Sequence, residues 1–268
     1  MNSPSEPLAP GISFRDVQLR FGGQVVLEGV TLDLPGARLT GLIGPNGSGK
    51  TSLCNVATGV YRPDAGEVVV LGRDTRRLGA HAFGRMAVAR TFQHAAVVPE
   101  LTAWENVALG LPADERISLL RTISGSRRSR RIERGYRDRA VGVLDELGLA
   151  DRADTPAAEL TNLERKFVEV ARCLVRAPQV LVLDEVASGL TRPEKAQLSE
   201  FVRTAFDDRC RGALVVVIEH DVEFIRGLCS HIVVLDRGRV LAEGTTAEVL
   251  ADDRVRSVYL GGVAAQAR

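Results

Sequence analysis

The stretch GPNGSGKT, from Gly44 to Thr51, has the spacing G-x-x-x-x-G-K-[ST] of a phosphate-binding loop, between a strand pattern and a helical pattern. Its glycines would let backbone N–H groups approach phosphate oxygens at the positive end of a helix. Lys50 supplies a charge for the outer phosphates, and the Thr51 hydroxyl is placed to ligate Mg²⁺. A Gly-rich turn without a ligand is the alternative. The predicted binding residues are Gly44, Pro45, Asn46, Gly47, Ser48, Gly49, Lys50, Thr51 and Ser52.

The run VLVLDE ends in two carboxylates, Asp184 and Glu185. An apolar strand of this kind buries itself and presents one carboxylate toward a Mg²⁺ shell and the next toward an attacking water. Two acidic residues at a strand end mean little in isolation, but they gain this meaning beside a phosphate-binding loop. The two motifs together predict phosphate hydrolysis, with Asp184 as a metal ligand and Glu185 as a catalytic residue.

An α/β sheet must position these motifs. The runs LTGLIG, VLVLDE and ALVVVIEH are continuously apolar, which is typical of central parallel strands covered on both faces, and helical patterns separate them. ISFRDVQLRF, from Ile12 to Phe21, and GEVVVLG alternate like half-buried strands and give the chain an antiparallel start. HIVVLDRGRVLAEG predicts a hairpin with a turn at Arg237 and Gly238.

The sequence is interpreted as one domain over residues 1–268. Its α/β core covers about 11–92 and 177–245, and a helical subdomain at about 93–176 is inserted where strand signals vanish. Residues 246–268 form a tail that we expect to be a short helical segment. The basic run SRRSRR, residues 126–131, predicts a solvated helix or loop, with a contact to lipid headgroups or an acidic partner as the alternative.

Bulk composition narrows the function classes. A net charge of +1 over 268 residues gives no field that favours nucleic acid, so no nucleic-acid partner is predicted. The start MNSPSEPLAPG lacks the basic and apolar regions of a signal peptide, and apolar runs such as ALVVVI are too short to span a bilayer. The scattered cysteines predict reduced core thiols and no metal site: Cys54, Cys173, Cys210 and Cys229.

The stretch LTNLERKF, residues 160–167, carries a helix start. Thr161 followed three residues later by Glu164 predicts a capping box, in which each side chain bonds to the backbone N–H of the other residue. The apolar residues behind it recur at helical spacing and predict one buried face: Leu163, Phe167, Val170, Ala171 and Leu174.

From about Ile12 to Gly262 the chain resembles the ATP-binding cassette (ABC) ATPases, which have a P-loop NTPase core, an N-terminal antiparallel portion and an inserted helical subdomain. The resemblance implies ATP and Mg²⁺ as ligands. Phe21 in RFGG matches the aromatic residue that stacks on adenine, with a core aromatic as the alternative. Gln93 in ARTFQH matches the glutamine that touches Mg²⁺ and the attacking water. His220 in VIEHD matches the histidine that contacts the γ-phosphate, where a satisfied core histidine is the alternative.

Within the family, ARTFQH, VIEHDVEFI, ARCLV and VYLGG resemble the nucleotide-binding subunits of branched-chain amino acid importers. This resemblance implies permease subunits, a second ATPase chain and, indirectly, a solute-binding protein as partners, with the chain peripheral on the cytoplasmic face of the cell membrane. Urea or short amides are competing solutes. The alternatives are an ATPase for lipopolysaccharide export, and a nucleotide-gated module with weak hydrolysis. A cassette protein of ribosomes or DNA repair is disfavoured, because the chain has one cassette and no long coiled coil.

The family's signature, Leu-Ser-Gly-Gly-Gln, falls on residues 160–164, where only the leucine is identical. In the family this loop closes over ATP held by the partner ATPase. Thr161 could keep the hydroxyl role, but Leu163 brings a branched side chain and Glu164 a charge, whose repulsion of a phosphate is about 2 kcal/mol at about 8 Å and a dielectric of about 20. Thr191 and Val186 are further departures from the family pattern. The hypothesis is an unequal pair of sites, which favours a heterodimer over a homodimer.

Overall fold

The computed structural model of the protein describes residues 11–78, 80–91, 97–111 and 127–258. Its strands are listed here in chain order: β1 (Ile12–Phe21), β2 (Gln24–Leu34), β3 (Arg38–Ile43), β4 (Ala65–Val70), β5 (Arg73–Asp74), β6 (Val88–Arg90), β7 (Val180–Asp184), β8 (Leu214–Ile218), β9 (His231–Asp236) and β10 (Arg239–Thr245).

The helices follow the same order, and a further helical turn covers 253–258. They are α1 (Lys50–Ala57), α2 (Ala80–Gly84), α3 (Ala103–Ala108), α4 (Arg127–Glu146), α5 (Asn162–Leu174), α6 (Arg192–Arg209), α7 (Val222–Leu228) and α8 (Thr246–Ala251). No helix in the described ranges is long and apolar enough to cross a membrane.

The chain divides into two compact units. The first comprises Met1–Arg90, Gln179–Glu185 and Arg211–Arg268, and the second comprises Thr91–Pro178 and Val186–Cys210. The domain boundaries read from the sequence stay a prediction. Of the basic run at 126–131, residue 126 and the side chains of 127–130 lie outside the described residues, as do residues 259–262 of the ending VYLGG.

The first unit contains two sheets. A six-stranded sheet has the order β10-β9-β3-β8-β7-β6, in which β9, β3, β8, β7 and β6 are parallel. The parallel strands predicted from LTGLIG, VLVLDE and ALVVVIEH are therefore confirmed. β10 pairs antiparallel with β9 through a tight turn at Arg237 (φ 45°) and Gly238 (φ 76°), as predicted. A four-stranded antiparallel sheet has the order β2-β1-β4-β5.

One apolar core holds the first unit together. All five residues of β7 and of β8 are buried, as expected for strands covered on both faces. The core joins both sheets and helix α1 through side chains such as Phe14, Leu42 and Leu53. Each large side chain that is fully buried stabilises the fold by about 1.5–3 kcal/mol relative to an exposed one.

Helix α5 anchors the second unit with the apolar face that its spacing predicts. Val170, Ala171 and Leu174 are buried. Phe167 stacks on Phe201 of α6, with ring centroids 4.1 Å apart and planes 9° apart. The amino end of α5 is therefore fixed by packing along the rest of the helix.

The four cysteines are free and buried, as predicted. Burial raises the pKa of Cys54, Cys173 and Cys229 to about 12 and that of Cys210 to about 11, so all four stay as thiols near neutral pH. Within the described ranges, no group of three or more His, Cys, Asp or Glu side chains could hold a metal ion.

Candidate nucleotide site

The loop between β3 and α1 has the backbone that phosphate binding requires. Gly44 has φ 152°, and a Cβ there would lie 2.1 Å from the Leu235 carbonyl oxygen. Gly49 has φ 102°, and a Cβ there would lie 2.8 Å from the Val26 carbonyl oxygen. Only glycine fits these positions, because a side chain would meet both strain and backbone. The loop can therefore turn N–H groups toward an anion at the start of α1.

Lys50 opens helix α1 and points back along the loop. Its Nζ donates hydrogen bonds to the carbonyl oxygens of Gly44, at 2.8 Å, and Pro45, at 3.0 Å. Burial lowers the pKa of Lys50, and the carboxylates of Glu185 and Asp184 oppose that shift. In the part of the chain that the structure describes, the ammonium group is therefore held by the carbonyl oxygens of its own loop.

The hydroxyls of the loop suit a phosphate and a hard metal ion. Ser48 is 2% exposed, and its Oγ finds no hydrogen-bond partner among the described residues. A buried hydroxyl of this kind costs stability unless a ligand satisfies it. Thr51 follows Lys50 and is exposed. Its hydroxyl and the Asp184 carboxylate are the oxygen ligands that Mg²⁺ prefers, so the residues present fit the ion.

The two carboxylates stand where β7 ends. Asp184 is its last residue and is buried. Glu185 has φ 50°, a left-handed backbone that costs a non-glycine residue about 1–2 kcal/mol. Its N–H donates to the Ile218 carbonyl oxygen on β8 at 2.9 Å, which holds the turn. The strain coincides with the predicted catalytic residue, as is common at functional sites.

Sequence reasoning missed a partner of Asp184. Arg90, on β6, donates from Nη2 to Asp184 Oδ2 at 2.6 Å and from Nη1 to Asn55 Oδ1 at 2.5 Å. The side chains of Arg90 and Asp184 are 6% and 2% exposed. No sequence motif predicts this contact, because Arg90 and Asp184 are 94 residues apart in the sequence.

His220 follows β8 at the same edge of the sheet. Its side chain is 62% exposed, and its Nδ1 lies 3.7 Å from Oε2 of the buried Glu219. The exposed fraction excludes the satisfied core histidine that was the alternative. Lys50, Asp184 and His220 thus follow or end neighbouring strands of one parallel sheet, which is where α/β proteins bind ligands.

Phe21 ends β1 and is 46% exposed, so it is not a core residue. The ring of Tyr61, which sequence reasoning missed, meets it edge-on with centroids 5.2 Å apart and an interplanar angle of 71°. Asp64 links the two segments, because its Oδ2 accepts from the Arg20 N–H at 2.6 Å. One face of an exposed aromatic ring is what base stacking requires.

The segment at the position of the signature begins α5 in the second unit. The capping box is present: Thr161 Oγ1 accepts from the Glu164 N–H at 3.2 Å, and Glu164 Oε2 accepts from the Thr161 N–H at 2.8 Å. Arg152 Nε also donates to Glu164 Oε1 at 3.0 Å. Burial raises the pKa of Glu164, but the hydrogen bonds from Thr161 and Arg152 outweigh this effect and hold the pKa below its usual value.

Asn162 and Leu163 occupy the third and fourth positions of the segment 160–164. Leu163 is 9% exposed and belongs to the buried face of α5, because a helix of this register turns that position inward. The burial of Leu163 predicted from the helical spacing is therefore confirmed. Asn162 is exposed, and its Nδ2 donates to the Gly189 carbonyl oxygen at 3.1 Å, so it ties the start of α5 to the loop before α6. Gln93 lies outside the described residues.

The fold, the loop and the paired carboxylates define a nucleotide-binding ATPase, and comparison with known proteins gives its family. The chain belongs to the ATP-binding cassette transporter ATPases. The family description "ABC transporter" matches residues 27–188, and "Branched-chain amino acid ATP-binding cassette transporter" matches residues 239–265. The family and fold class expected from the motifs are confirmed.

Named relatives are subunits of bacterial transport systems. The chain is 33% identical over 257 residues to the high-affinity branched-chain amino acid transport ATP-binding protein LivG of Salmonella typhimurium, covering 96% of this chain and 99% of LivG. It is 32% identical to BraF of Pseudomonas aeruginosa, a protein of the same description, over 94% and 98% of the two chains. The lipopolysaccharide export system ATP-binding protein LptB of Acidithiobacillus ferridurans is 32% identical, and the match covers 89% of this chain and 91% of LptB.

Solved structures share the fold. A nucleotide-free ATP-binding cassette from an ABC transporter superposes with a TM-score of 0.78 at 26% identity, covering 93% of this chain and 98% of that one. The ADP conformation of an ATP-binding cassette of an ABC transporter superposes with the same TM-score of 0.78 at 26% identity. The match covers 94% of this chain and 99% of that one.

Proposed function

We propose that the chain is the ATP-binding and ATP-hydrolysing subunit of an ABC importer for branched-chain amino acids or similar small solutes. The observation that carries the hydrolytic part is that Lys50, after β3, and the pair Asp184 and Glu185, at the end of β7, lie at the carboxyl ends of parallel strands of one sheet. The importer and its solute class are supported by the match at residues 239–265 and by the likeness to LivG and BraF.

Binding of ATP divides among three groups of residues. Phe21 stacks on the adenine with its exposed face, and Tyr61 supports its edge. The loop N–H groups, the Ser48 hydroxyl and Lys50 hold the phosphates; Lys50 exchanges its bonds to loop carbonyls for phosphate oxygens. Thr51 and Asp184 would hold Mg²⁺, which when bound neutralises charge on the outer phosphates.

Hydrolysis uses the residues that follow β7 and β8. Glu185, which follows β7 with φ 50°, accepts the proton of the attacking water. His220 is exposed and contacts the γ-phosphate. Gln93 completes the metal and water contacts in this proposal, on the strength of its motif alone.

The proposal includes a second ATPase chain, with Thr161 at the phosphate of that partner. The capping box occupies Thr161 with its own helix, and Glu164 carries charge toward the same place. The ATP site that is closed by this chain's signature segment therefore hydrolyses ATP slowly. The other site, which contains Lys50 and Glu185 of this chain and is closed by an ordinary signature on the partner, hydrolyses ATP at the full rate. A heterodimer attached to permease subunits on the cytoplasmic face of the membrane, with an external solute-binding protein, satisfies these constraints.

Two experiments test the proposal. ATP hydrolysis is measured for the purified chain alone and with its partner ATPase; we expect weak turnover alone, and full activity alone would contradict the unequal pair. The chain is also purified with its membrane subunits and reconstituted with the solute-binding protein. Leucine, isoleucine or valine should stimulate hydrolysis. Stimulation by urea or short amides would reassign the solute, and stimulation by lipopolysaccharide alone would favour the export system that the likeness to LptB keeps as the alternative.

A further inference from the structure

Arg90 joins three parts of the first unit through one buried guanidinium group. It ends β6, donates to Asp184 Oδ2 at the end of β7, and donates to Asn55 Oδ1 in helix α1. A longer contact of 3.4 Å reaches Thr58 Oγ1 just after that helix. Helix α1 is the one that begins with Lys50 and Thr51, so the guanidinium connects the phosphate-binding helix directly to the Asp184 carboxylate.

The geometry is demanding because both charges are buried. With 6% and 2% of their side chains exposed, neither Arg90 nor Asp184 has bulk water to stabilise its charge. The planar fork of arginine can satisfy a carboxylate and an amide at once and fixes both in direction. The bond to Oδ2 therefore limits rotation of the Asp184 carboxylate and sets where its other oxygen points.

We propose that Arg90 is a positioning residue that fixes the Asp184 carboxylate relative to helix α1 and thereby sets the affinity of the site for Mg²⁺ with nucleotide. The inference rests on the proposed role of Asp184 toward Mg²⁺. Metal ligands in proteins are held in direction by outer hydrogen bonds, and loss of such a partner lowers metal affinity about 10- to 100-fold. Arg90 and Asn55 form this outer layer here.

Two substitutions of Arg90 remove different parts of this hydrogen-bonding arrangement. Arg90→Lys keeps a positive charge beside Asp184, but one ammonium group cannot also reach Asn55 in the same direction. Arg90→Met removes charge and fork together. Asn55→Ala leaves the ion pair and removes only the link to α1, so it tests the positioning without unpairing Asp184.

The experiment measures binding of a fluorescent ATP analogue in EDTA and across a Mg²⁺ titration, on the folded chain, for wild type and each variant. Mg²⁺ should strengthen binding of the analogue, and the titration gives the Mg²⁺ concentration at which half of this increase is reached. We expect Arg90→Met to raise that concentration at least about tenfold, and Arg90→Lys and Asn55→Ala to raise it by less. Affinity for the analogue in EDTA should change by less than about twofold in all of them, because the loop that holds the phosphates is untouched.

Two controls separate the possible failures. Asp184→Asn tests the proposed function itself: if it leaves the Mg²⁺ dependence unchanged, Asp184 is not a metal ligand and both proposals fall. If Asp184→Asn shifts the Mg²⁺ dependence of binding but Arg90→Lys and Asn55→Ala do not, Arg90 is a purely structural partner and only this inference is overturned.

Arg76→Met, which breaks the exposed pair with Asp74, should leave the Mg²⁺ titration unchanged. If Arg90→Met does not fold, Asn55→Ala decides the outcome.

Discussion

Thr161 and Glu164 hydrogen-bond to each other twice at the start of α5, with the Glu164 N–H donating to the Thr161 hydroxyl and the Thr161 N–H donating to the Glu164 carboxylate. A cap of this kind stabilises a helix by about 0.5–2 kcal/mol. The same residues occupy the place of a signature loop, so helix stability and phosphate contact compete for one hydroxyl. Arg152, bonded to the same carboxylate, offsets part of the charge that Glu164 would bring to a phosphate.

Glu164→Gln should raise ATP hydrolysis of the chain assembled with its partner by about fivefold, a gain of about 1 kcal/mol in transition-state stabilisation. Glutamine preserves the capping box while the charge disappears. The measurement is steady-state hydrolysis of the reconstituted complex. Glu248→Gln, which changes the equivalent capping box at Thr245 in α8, serves as the matched control and should have no effect. No gain in Glu164→Gln would argue against repulsion at this position.

Leu163→Gly, which restores the family residue, should lower the free energy of unfolding by about 2–4 kcal/mol and not restore activity on its own. The reason is that Leu163 is buried in the second unit, so its removal leaves a cavity and adds a flexible residue to a helix. Urea unfolding and hydrolysis are measured on the same preparation. An increase in activity without loss of stability would show that the side chain had obstructed the partner.

The free energy of unfolding should fall at acidic pH, in part because of Glu164. Its pKa is lower in the folded chain than in the unfolded chain, so the folded state binds fewer protons there. This contribution is fully present above pH about 4.5 and is lost as the pH falls through the folded pKa. Urea unfolding between pH about 6 and about 3 should therefore show a shallower decline for Glu164→Gln than for wild type. Parallel declines would contradict the assignment.

Glu185→Gln should lower hydrolysis by about 10²- to 10⁴-fold and leave nucleotide binding intact, because it removes the proton acceptor and keeps the side-chain shape. Glu185→Gly should be equally inactive but more stable by about 1 kcal/mol, since glycine adopts φ 50° without strain. Hydrolysis, nucleotide affinity and urea unfolding are compared for both. Substantial hydrolysis by Glu185→Gln would remove this residue from the mechanism.

Phe21→Ala should weaken ATP binding by about tenfold and leave the affinity for tripolyphosphate unchanged, because base stacking contributes about 1–3 kcal/mol. Tyr61→Ala should give a smaller loss, as its ring meets Phe21 only edge-on. Competition binding measures both ligands. Val25→Ala, at an exposed apolar residue on the neighbouring strand, is the control. Equal weakening toward both ligands would mean that Phe21 acts on the loop and not on the base.

The features that the sequence determined are local ones. The phosphate-binding loop needs only three closely spaced glycines, Lys50 and the next helix, and the capping box at Thr161 needs only four residues, so both could be predicted and the cap is confirmed. Continuous apolar runs likewise identified the parallel strands, because burial on both faces leaves no polar positions. The short strand β6, with three residues, was missed because it is too brief for a period to show. β2 was also missed, and Gly29, with φ 70°, interrupts its alternation.

The contacts around Asp184, Phe21 and Glu164 come from packing between distant parts of the chain. Arg90 and Asp184 meet across 94 residues of sequence, Tyr61 reaches Phe21 through the pairing of β1 with β4, and Arg152 reaches Glu164 from a separate turn. Such contacts depend on which distant elements pack together, and no local sequence pattern specifies that packing. Composition and spacing carry the chemistry of the reaction, whereas the orientation of Asp184 and the electrostatic environment of Glu164 arise from the folded chain.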